Sequence, residues 1–203
     1  EIDVSTSADG VLYVIHGPEL NRTTSGSGRI DQQTSEQLDA IDAGSWFHPN
    51  FAQERIPRVE EFLTWIKGRA KVYFDVKAAT HNTIIDLVDR HGFAQDCFFW
   101  SGDNDWALEL KRRAPHLPQK VNVNSLKTLI QQHQLFGMEI IEISLDDATE
   151  AILDEARARS LKVMVYHQQN DDEAFRQILN LGVDLVNVNH ADRFLELRGE
   201  HNA

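Results

Sequence analysis

From residue 72 onward, short apolar runs alternate with longer segments whose apolar residues recur at helical spacing. Runs that are apolar on both faces are typical of buried parallel strands, and a period near 3.6 predicts amphipathic helices. The runs predict strands at Val72–Val76, Cys97–Ser101, Lys120–Val123, Glu139–Ile143, Lys162–Tyr166 and Asp184–Val188. The segments between them predict helices near Asn82–Arg90, Asp105–Arg113, Leu126–Gln134, Ala148–Arg159 and Asp171–Leu181, and a short last helix at Arg193–Leu197. Strands that alternate with helices predict a parallel α/β sheet.

The first part of the chain has a different pattern. Glu1–Val4 is predicted as a short strand, and a turn that ends in Asp-Gly joins it to the apolar run Val11–Ile15, which predicts a hairpin-like pair of strands. A polar segment rich in Gly, Ser and Thr follows, and the next helix begins at Ile56-Pro57. Residues 17–57 are therefore interpreted as an ordered insertion within a single domain that spans residues 1–203.

The number of parallel strands limits the choice of architecture. Glu1–Val4 and the six later runs make about seven parallel strands, and a closed (β/α)8 barrel needs eight. A doubly wound open sheet tolerates seven, but no strand is followed by a Gly-rich phosphate loop. The sequence predicts either a TIM barrel that lacks its first strand and helix or an open sheet, and a chain that begins inside a strand favours the barrel.

Composition narrows the possible partners. The formal net charge of −12 argues against nucleic acid, which is bound by basic surfaces. No apolar run reaches the roughly 18 residues that a membrane helix needs, so stable membrane insertion is not expected. Cys97 is the single cysteine, so it indicates no compartment. The oligomeric state and the compartment, whether cytoplasmic or periplasmic or secreted, stay open.

The charged residues most suited to a functional site lie on two predicted strands. Glu1 and Asp3 lie two residues apart on the first strand, as do Asp75 and Lys77 on a later one. Side chains at positions i and i+2 of a strand point to the same face. Three carboxylates suit a hard divalent cation, and a lysine suits a phosphate, so the sequence predicts a small-molecule site for both.

Other polar residues follow predicted strands and are weaker candidates. His16 ends the hairpin, and a histidine beside such a site can act as a general acid or base near neutral pH. Trp100, Glu142 and His167 lie on or just after strands, where the active sites of parallel barrels are found. They are candidates for substrate binding, although packing or an internal polar contact is the commoner role for such residues.

A long motif near the start of the chain resembles a known family. The matching residues are Glu1-Ile2-Asp3-Val4, Thr6, Asp9-Gly10, Val14, His16, Leu20, Arg22-Thr23-Thr24, Gly26, Gly28, Leu38, Asp42 to Phe47, Phe51, Glu54, Ile56-Pro57, Glu60-Glu61, Tyr73 to Lys77 and Gly182-Val183-Asp184. This pattern is similar to the signature of the glycerophosphodiester phosphodiesterase family, densely up to Lys77 and more loosely afterwards.

The resemblance implies a fold, an activity and a set of roles. Members of the family are TIM barrels with a small insertion after the second strand, and they hydrolyse glycerophosphodiesters to glycerol 3-phosphate and an alcohol with Ca²⁺ or Mg²⁺. By resemblance, Glu1, Asp3 and Asp75 would bind the metal and Lys77 would contact the phosphate. His16 matches the second of two catalytic histidines and would protonate the leaving alcohol.

The sequence also differs from the family at informative positions. The first catalytic histidine belongs to a His-Arg-Gly motif on a strand that this sequence does not contain. Gly17 follows His16 where members usually carry Asp, and Tyr166-His167 replaces the usual Trp-Thr. Two alternatives follow: a phospholipase D-like enzyme that acts on lysophospholipid or sphingolipid head groups, and an inactive barrel that binds a phosphorylated ligand.

Three aromatic residues of the insertion bear on the first alternative. Trp46, Phe47 and Phe51 would form an apolar lip for a lipid substrate if they were exposed. The interpretation favoured by the sequence is that they form a small core within the insertion.

Overall fold

The computed structural model describes residues 1–201, and these form two compact units. The first unit runs from Glu1 to Leu117, and the second begins at Pro118. Both are α/β structures, as the alternating pattern predicts.

The first unit contains a four-stranded sheet in the order β2-β1-β3-β4. Its strands are β1 (Ile2–Thr6), β2 (Leu12–Val14), β3 (Val72–Val76) and β4 (Cys97–Ser101). β1 pairs with β2 in antiparallel fashion and with β3 in parallel fashion, and β3 and β4 are parallel. The predicted hairpin is confirmed, with Gly10 at a φ of 89° in its turn, a value that favours glycine.

Three helices pack on this sheet: α2 (Val59–Ile66), α3 (His81–His91) and α4 (Asn104–Arg113). Their apolar faces and those of the strands share one hydrophobic core, in which Phe74 and Phe99 stack with ring centroids 4.9 Å apart. Since fully burying a large apolar side chain is worth about 1.5–3 kcal/mol, this core fixes the alternating strand register. The register is what positions the polar residues of β1 and β3.

The insertion has a second, smaller core of its own. Its buried residues are Tyr13, Ile15, Leu20, Ile30, Leu38 and Ile56. The insertion also contains a short helix that the sequence analysis did not predict, α1 (Ser35–Asp39). Thr34 is its N-cap residue and forms a capping box with Gln37.

The favoured interpretation of the aromatic residues is wrong. Trp46, Phe47 and Phe51 are exposed, and the small core is filled by aliphatic side chains and Tyr13. The carboxylate of Asp42 closes the loop that carries the three aromatic residues. It accepts hydrogen bonds from backbone N–H groups before the aromatic residues, at Gly44 and Ser45, and after them, at Gln53. That tight turn leaves no interior for three large rings.

The second unit is a parallel sheet in the order β5-β6-β7-β8. Its strands are β5 (Lys120–Asn122), β6 (Ile140–Ser144), β7 (Lys162–His167) and β8 (Leu185–Val188). Its helices are α5 (Leu126–Phe136), α6 (Glu150–Ala158), α7 (Asp172–Leu181) and α8 (Ala191–His201). α8 is longer than the predicted Arg193–Leu197, because Phe194 and Leu197 anchor one face of it and the polar turns on either side continue the helix. Within residues 1–201, no helix is both long and apolar enough to cross a membrane.

Candidate metal and phosphate site

Three carboxylates converge where β1 and β3 lie side by side. Asp3 and Asp75 are register partners in the parallel pair, and Glu1 directly precedes β1. One oxygen from each of the three side chains lies within 4.8 Å of the others. Asp75 is buried, Asp3 half-buried and Glu1 exposed, so the cluster opens to solvent on one side. The i, i+2 pattern of the sequence therefore brings the three predicted ligands together.

The cluster is rich in negative charge. The carboxyl group of Glu1 is turned toward the other two, and partial burial followed by repulsion from Asp3 raises its pKa. Hard oxygen donors at this spacing are what Ca²⁺ and Mg²⁺ prefer, and a divalent cation would relieve the repulsion. The donor set thus fits such an ion.

Lys77 extends from the end of β3 back over the cluster. Its Nζ lies 2.7 Å from Oδ1 of Asp75 and 3.1 Å from Oδ1 of Asp3. Burial alone would lower the pKa of Lys77, but hydrogen bonds to Asp75 and Asp3 raise it, so the side chain is a cation at neutral pH. Nζ also lies 5.5 Å from the ring centroid of Trp100, the residue opposite Asp75 on β4, within cation–π range.

His16 lies on the rim of the same site. It lines a cavity of about 470 Å³ together with Glu1, Asp3, Trp46 and Arg55. The sequence placed His16 near the acidic pair because of the hairpin, and the structure brings them together in this cavity.

A residue with no role assigned from the sequence, Arg22, holds the imidazole of His16. Its Nη1 donates a hydrogen bond of 2.6 Å to Nδ1 of His16. A guanidinium has only donors, so Nδ1 accepts, and the proton of a neutral imidazole must be on Nε2. The motif Arg22-Thr23-Thr24 was visible in the sequence, but its contact with His16 depends on the path of the insertion.

The two remaining candidates belong to the second unit. Glu142 is buried; it pairs with Lys120 and accepts a 2.8 Å hydrogen bond at Oε1 from Nδ2 of Asn187. Both of its oxygens are therefore engaged in internal contacts. His167 packs edge-on against Phe175, and its Nε2 is buried without a hydrogen-bond partner among residues 1–201. Their predicted part in substrate binding stays a prediction.

Taken together, the parallel strands, the acidic cluster and the adjacent lysine define an α/β protein whose side chains suit a divalent cation and an anionic group. Comparisons with known proteins give the family. A family model described as the glycerophosphoryl diester phosphodiesterase family matches residues 1–193, and the chain belongs to that family.

Individual relatives agree with this assignment. A solved glycerophosphodiester phosphodiesterase from Agrobacterium tumefaciens str. C58 is 32% identical, with a TM-score of 0.90 over 95% of this chain and 84% of that one. A phosphodiesterase from Oleispira antarctica, solved in complex with the product sn-glycerol-3-phosphate, shares the fold with a TM-score of 0.85 at 22% identity over 98% of this chain and 83% of that one. The fold is therefore the TIM barrel of this family, and the barrel is confirmed over the open sheet.

Among curated proteins, YhdW of Bacillus subtilis (strain 168) is 46% identical over 104 residues, which is 51% of this chain and 42% of that protein. The chain spans about half the length of the curated relatives that it matches first.

Proposed function

We propose that this chain hydrolyses glycerophosphodiesters to glycerol 3-phosphate and an alcohol, with Ca²⁺ or Mg²⁺ bound by Glu1, Asp3 and Asp75. The observation that carries the proposal is the convergence of three carboxylates and Lys77 beside a cavity that also contains His16. Membership of the family supports it.

The bound cation would polarise the phosphoryl oxygens and neutralise charge that develops on them. Lys77 is proposed to contact a non-bridging phosphate oxygen and to stabilise the added negative charge in the transition state, because it is a cation already aligned by Asp3 and Asp75. Trp100, whose ring centroid lies 5.5 Å from Nζ of Lys77, would help to orient that lysine toward the phosphate.

His16 is proposed to act on the leaving group. Hydrolysis adds water across one P–O bond: the hydroxyl joins phosphorus, and a proton must reach the departing alkoxide. The attacking water supplies that proton, and Arg22 occupies Nδ1 of His16, so the neutral imidazole carries its hydrogen on Nε2. The Nε2–H then serves as the hydrogen-bond donor to the leaving oxygen.

Release of glycerol 3-phosphate from glycerophosphocholine tests the proposal, measured with Ca²⁺, with Mg²⁺ and with a chelator. Cation-dependent release is expected, and Asp75→Asn and His16→Ala should each lower kcat by at least about 100-fold. Asp96→Asn is the matched control, because Asp96 is a surface acid paired with Lys71 and should leave turnover unchanged.

Near-normal turnover of Asp75→Asn or His16→Ala would contradict the roles given to those residues. Binding of glycerol 3-phosphate without any turnover of the unmodified chain would favour the inactive, ligand-binding alternative.

A second candidate function is phospholipase D-like hydrolysis of lysophospholipid or sphingolipid head groups. The exposure of Trp46 on the wall of the cavity favours it, because such substrates carry an apolar tail next to the phosphodiester. A comparison of kcat/KM for lysophosphatidylcholine and glycerophosphocholine separates the two functions.

A further inference from the structure

The most unusual surface of the first unit is a patch of three aromatic side chains, Trp46, Phe47 and Phe51, here named the aromatic lip. Their exposed fractions are 55%, 70% and 47%. The rings touch one another, with centroids 5.9 Å apart for Trp46 and Phe47 and 5.7 Å apart for Phe47 and Phe51. Single exposed apolar residues are common, but a contiguous cluster marks an interaction surface.

The aromatic lip is held in place by its own loop. The carboxylate of Asp42 accepts hydrogen bonds from the backbone N–H groups of Gly44, Ser45 and Gln53. The Nε1 of Trp46 donates a 2.9 Å hydrogen bond to the carbonyl oxygen of Ala43. The rings are thus presented outward by an ordered turn, and little conformational entropy is lost when they are buried against a partner.

The charge around the aromatic lip restricts the partner. Residues 45–53 contain no Asp, Glu, Lys or Arg, in a chain whose charged fraction is 26% and whose net charge is −12. A strongly negative protein is repelled by an anionic surface, whereas an uncharged aromatic patch suits the apolar–polar boundary of a zwitterionic lipid layer. The amphipathic ring of Trp46 is well matched to such a boundary.

The aromatic lip is also continuous with the candidate site. Trp46 lines the cavity that contains Asp3 and His16, while Phe47 and Phe51 lie outside it. A lipid layer that covers the two phenylalanines would bring a phosphodiester head group to the cavity wall.

We propose that the aromatic lip docks the protein on a zwitterionic lipid–water interface, so that head-group phosphodiesters in that interface reach the cavity. This proposal rests on the proposed function for its purpose, but docking itself is measured without turnover. It concerns surface binding through side chains and needs no segment that crosses the lipid layer.

The test is co-sedimentation with phosphatidylcholine vesicles. The unmodified chain should bind, and the double variant Phe47→Ala/Phe51→Ala should bind at least about tenfold more weakly, because the apolar area that enters the interface is lost. The matched control is Trp65→Ala/Leu135→Ala, which removes two other exposed apolar side chains, one on α2 and one on α5. The control should bind as the unmodified chain does, and vesicles with added anionic lipid should bind all three less well.

Equal binding by the unmodified chain and Phe47→Ala/Phe51→Ala, or no binding by the unmodified chain, would overturn the proposal. So would an unmodified chain that self-associates in solution while the double variant does not, because the lip would then be an interface between copies. Release of glycerol 3-phosphate from soluble glycerophosphocholine is measured in parallel. Vesicle binding without release contradicts the proposed function alone, and release without vesicle binding contradicts the docking alone.

Discussion

Asp75 lies on β3 and Lys77 directly follows that strand, and Nζ of Lys77 lies 2.7 Å from Oδ1 of Asp75. Asp3 on β1 is the second partner of this lysine, with its Oδ1 3.1 Å from Nζ of Lys77. Hydrogen bonds to Asp75 and Asp3 raise the pKa of Lys77, although its partial burial acts in the opposite direction. One lysine therefore serves two purposes: it balances the carboxylates and is proposed to bind the phosphate.

Replacing Lys77 separates these purposes. In Lys77→Met the affinity for the cation should be unchanged or higher, since a competing positive charge is removed. The value of kcat should fall about 100-fold, as for loss of one oriented electrostatic group. Calorimetric titration and steady-state kinetics measure the two effects, with Lys71→Met, an exposed lysine paired with Asp96, as the control. A tenfold loss of cation affinity would contradict the assignment.

The pairing of His16 with Arg22 makes a second prediction at the scale of one residue. Arg22→Ala should lower kcat about tenfold with little change in KM, because the imidazole loses the donor that fixes its tautomer. Arg22→Lys retains a donor and should recover part of the loss.

The imidazole ¹⁵N chemical shifts of His16 provide the direct readout, since they report the protonated nitrogen. The Nε2–H form should dominate in the unmodified chain and lose its dominance in Arg22→Ala. Arg29→Ala is the control, because Arg29 belongs to the same insertion but pairs with Asp31 and Glu19. Identical tautomer populations in the unmodified chain and Arg22→Ala would contradict the role of Arg22.

Among the secondary-structure elements, those of the alternating region follow from the sequence almost completely. The bounds predicted for β3 and β4 coincide with the observed Val72–Val76 and Cys97–Ser101, because both are buried apolar runs with clear ends. The helix α1 was missed because five residues are too few for helical periodicity to register. The outward orientation of the aromatic lip depends on hydrogen bonds to one side chain, Asp42, which a pattern of apolar positions does not reveal.

The loop that carries the aromatic lip has a sensitive position at Gly44. A Cβ built at residue 44 would lie 2.0 Å from the carbonyl oxygen of Phe51, so Gly44→Ala must displace the backbone of the loop. We expect weaker binding to phosphatidylcholine vesicles and faster amide hydrogen exchange over residues 42–54, with the sheet unaffected. Gly199→Ala, where a Cβ meets open space within α8, should be neutral or slightly stabilising. Unchanged exchange in Gly44→Ala would contradict the fixed geometry of the loop.

For the whole molecule, the sequence predicts the α/β fold class that the structure has, but it does not predict every contact between polar side chains. The three acids of the candidate site were predictable because strand periodicity and parallel pairing bring i, i+2 residues together. The internal network of Glu142 with Lys120 and Asn187 was not predictable, since its two partners come from two other strands, β5 and β8. The sequence made Glu142 a candidate for substrate binding, with an internal polar contact as the commoner role, and the structure buries it in an ion pair with Lys120.

A cation bound only by the folded state must stabilise the whole molecule. At a concentration about 100 times its Kd it adds about 2.7 kcal/mol, which for a chain of this size raises Tm by about 5–10 °C. The shift should vanish on chelation and be absent in Asp75→Asn. An equal shift in Asp75→Asn would mean that the ion binds elsewhere.

The most direct test of the central claim is isothermal titration calorimetry of Ca²⁺ and of Mg²⁺ into the unmodified chain, Asp75→Asn and the control Asp96→Asn. The account predicts one saturable site in the unmodified chain and in Asp96→Asn, and a loss of at least about tenfold in affinity in Asp75→Asn. Equal affinity in all three proteins, or no saturable binding of either ion to the unmodified chain, would contradict the assignment of Glu1, Asp3 and Asp75 as the cation site.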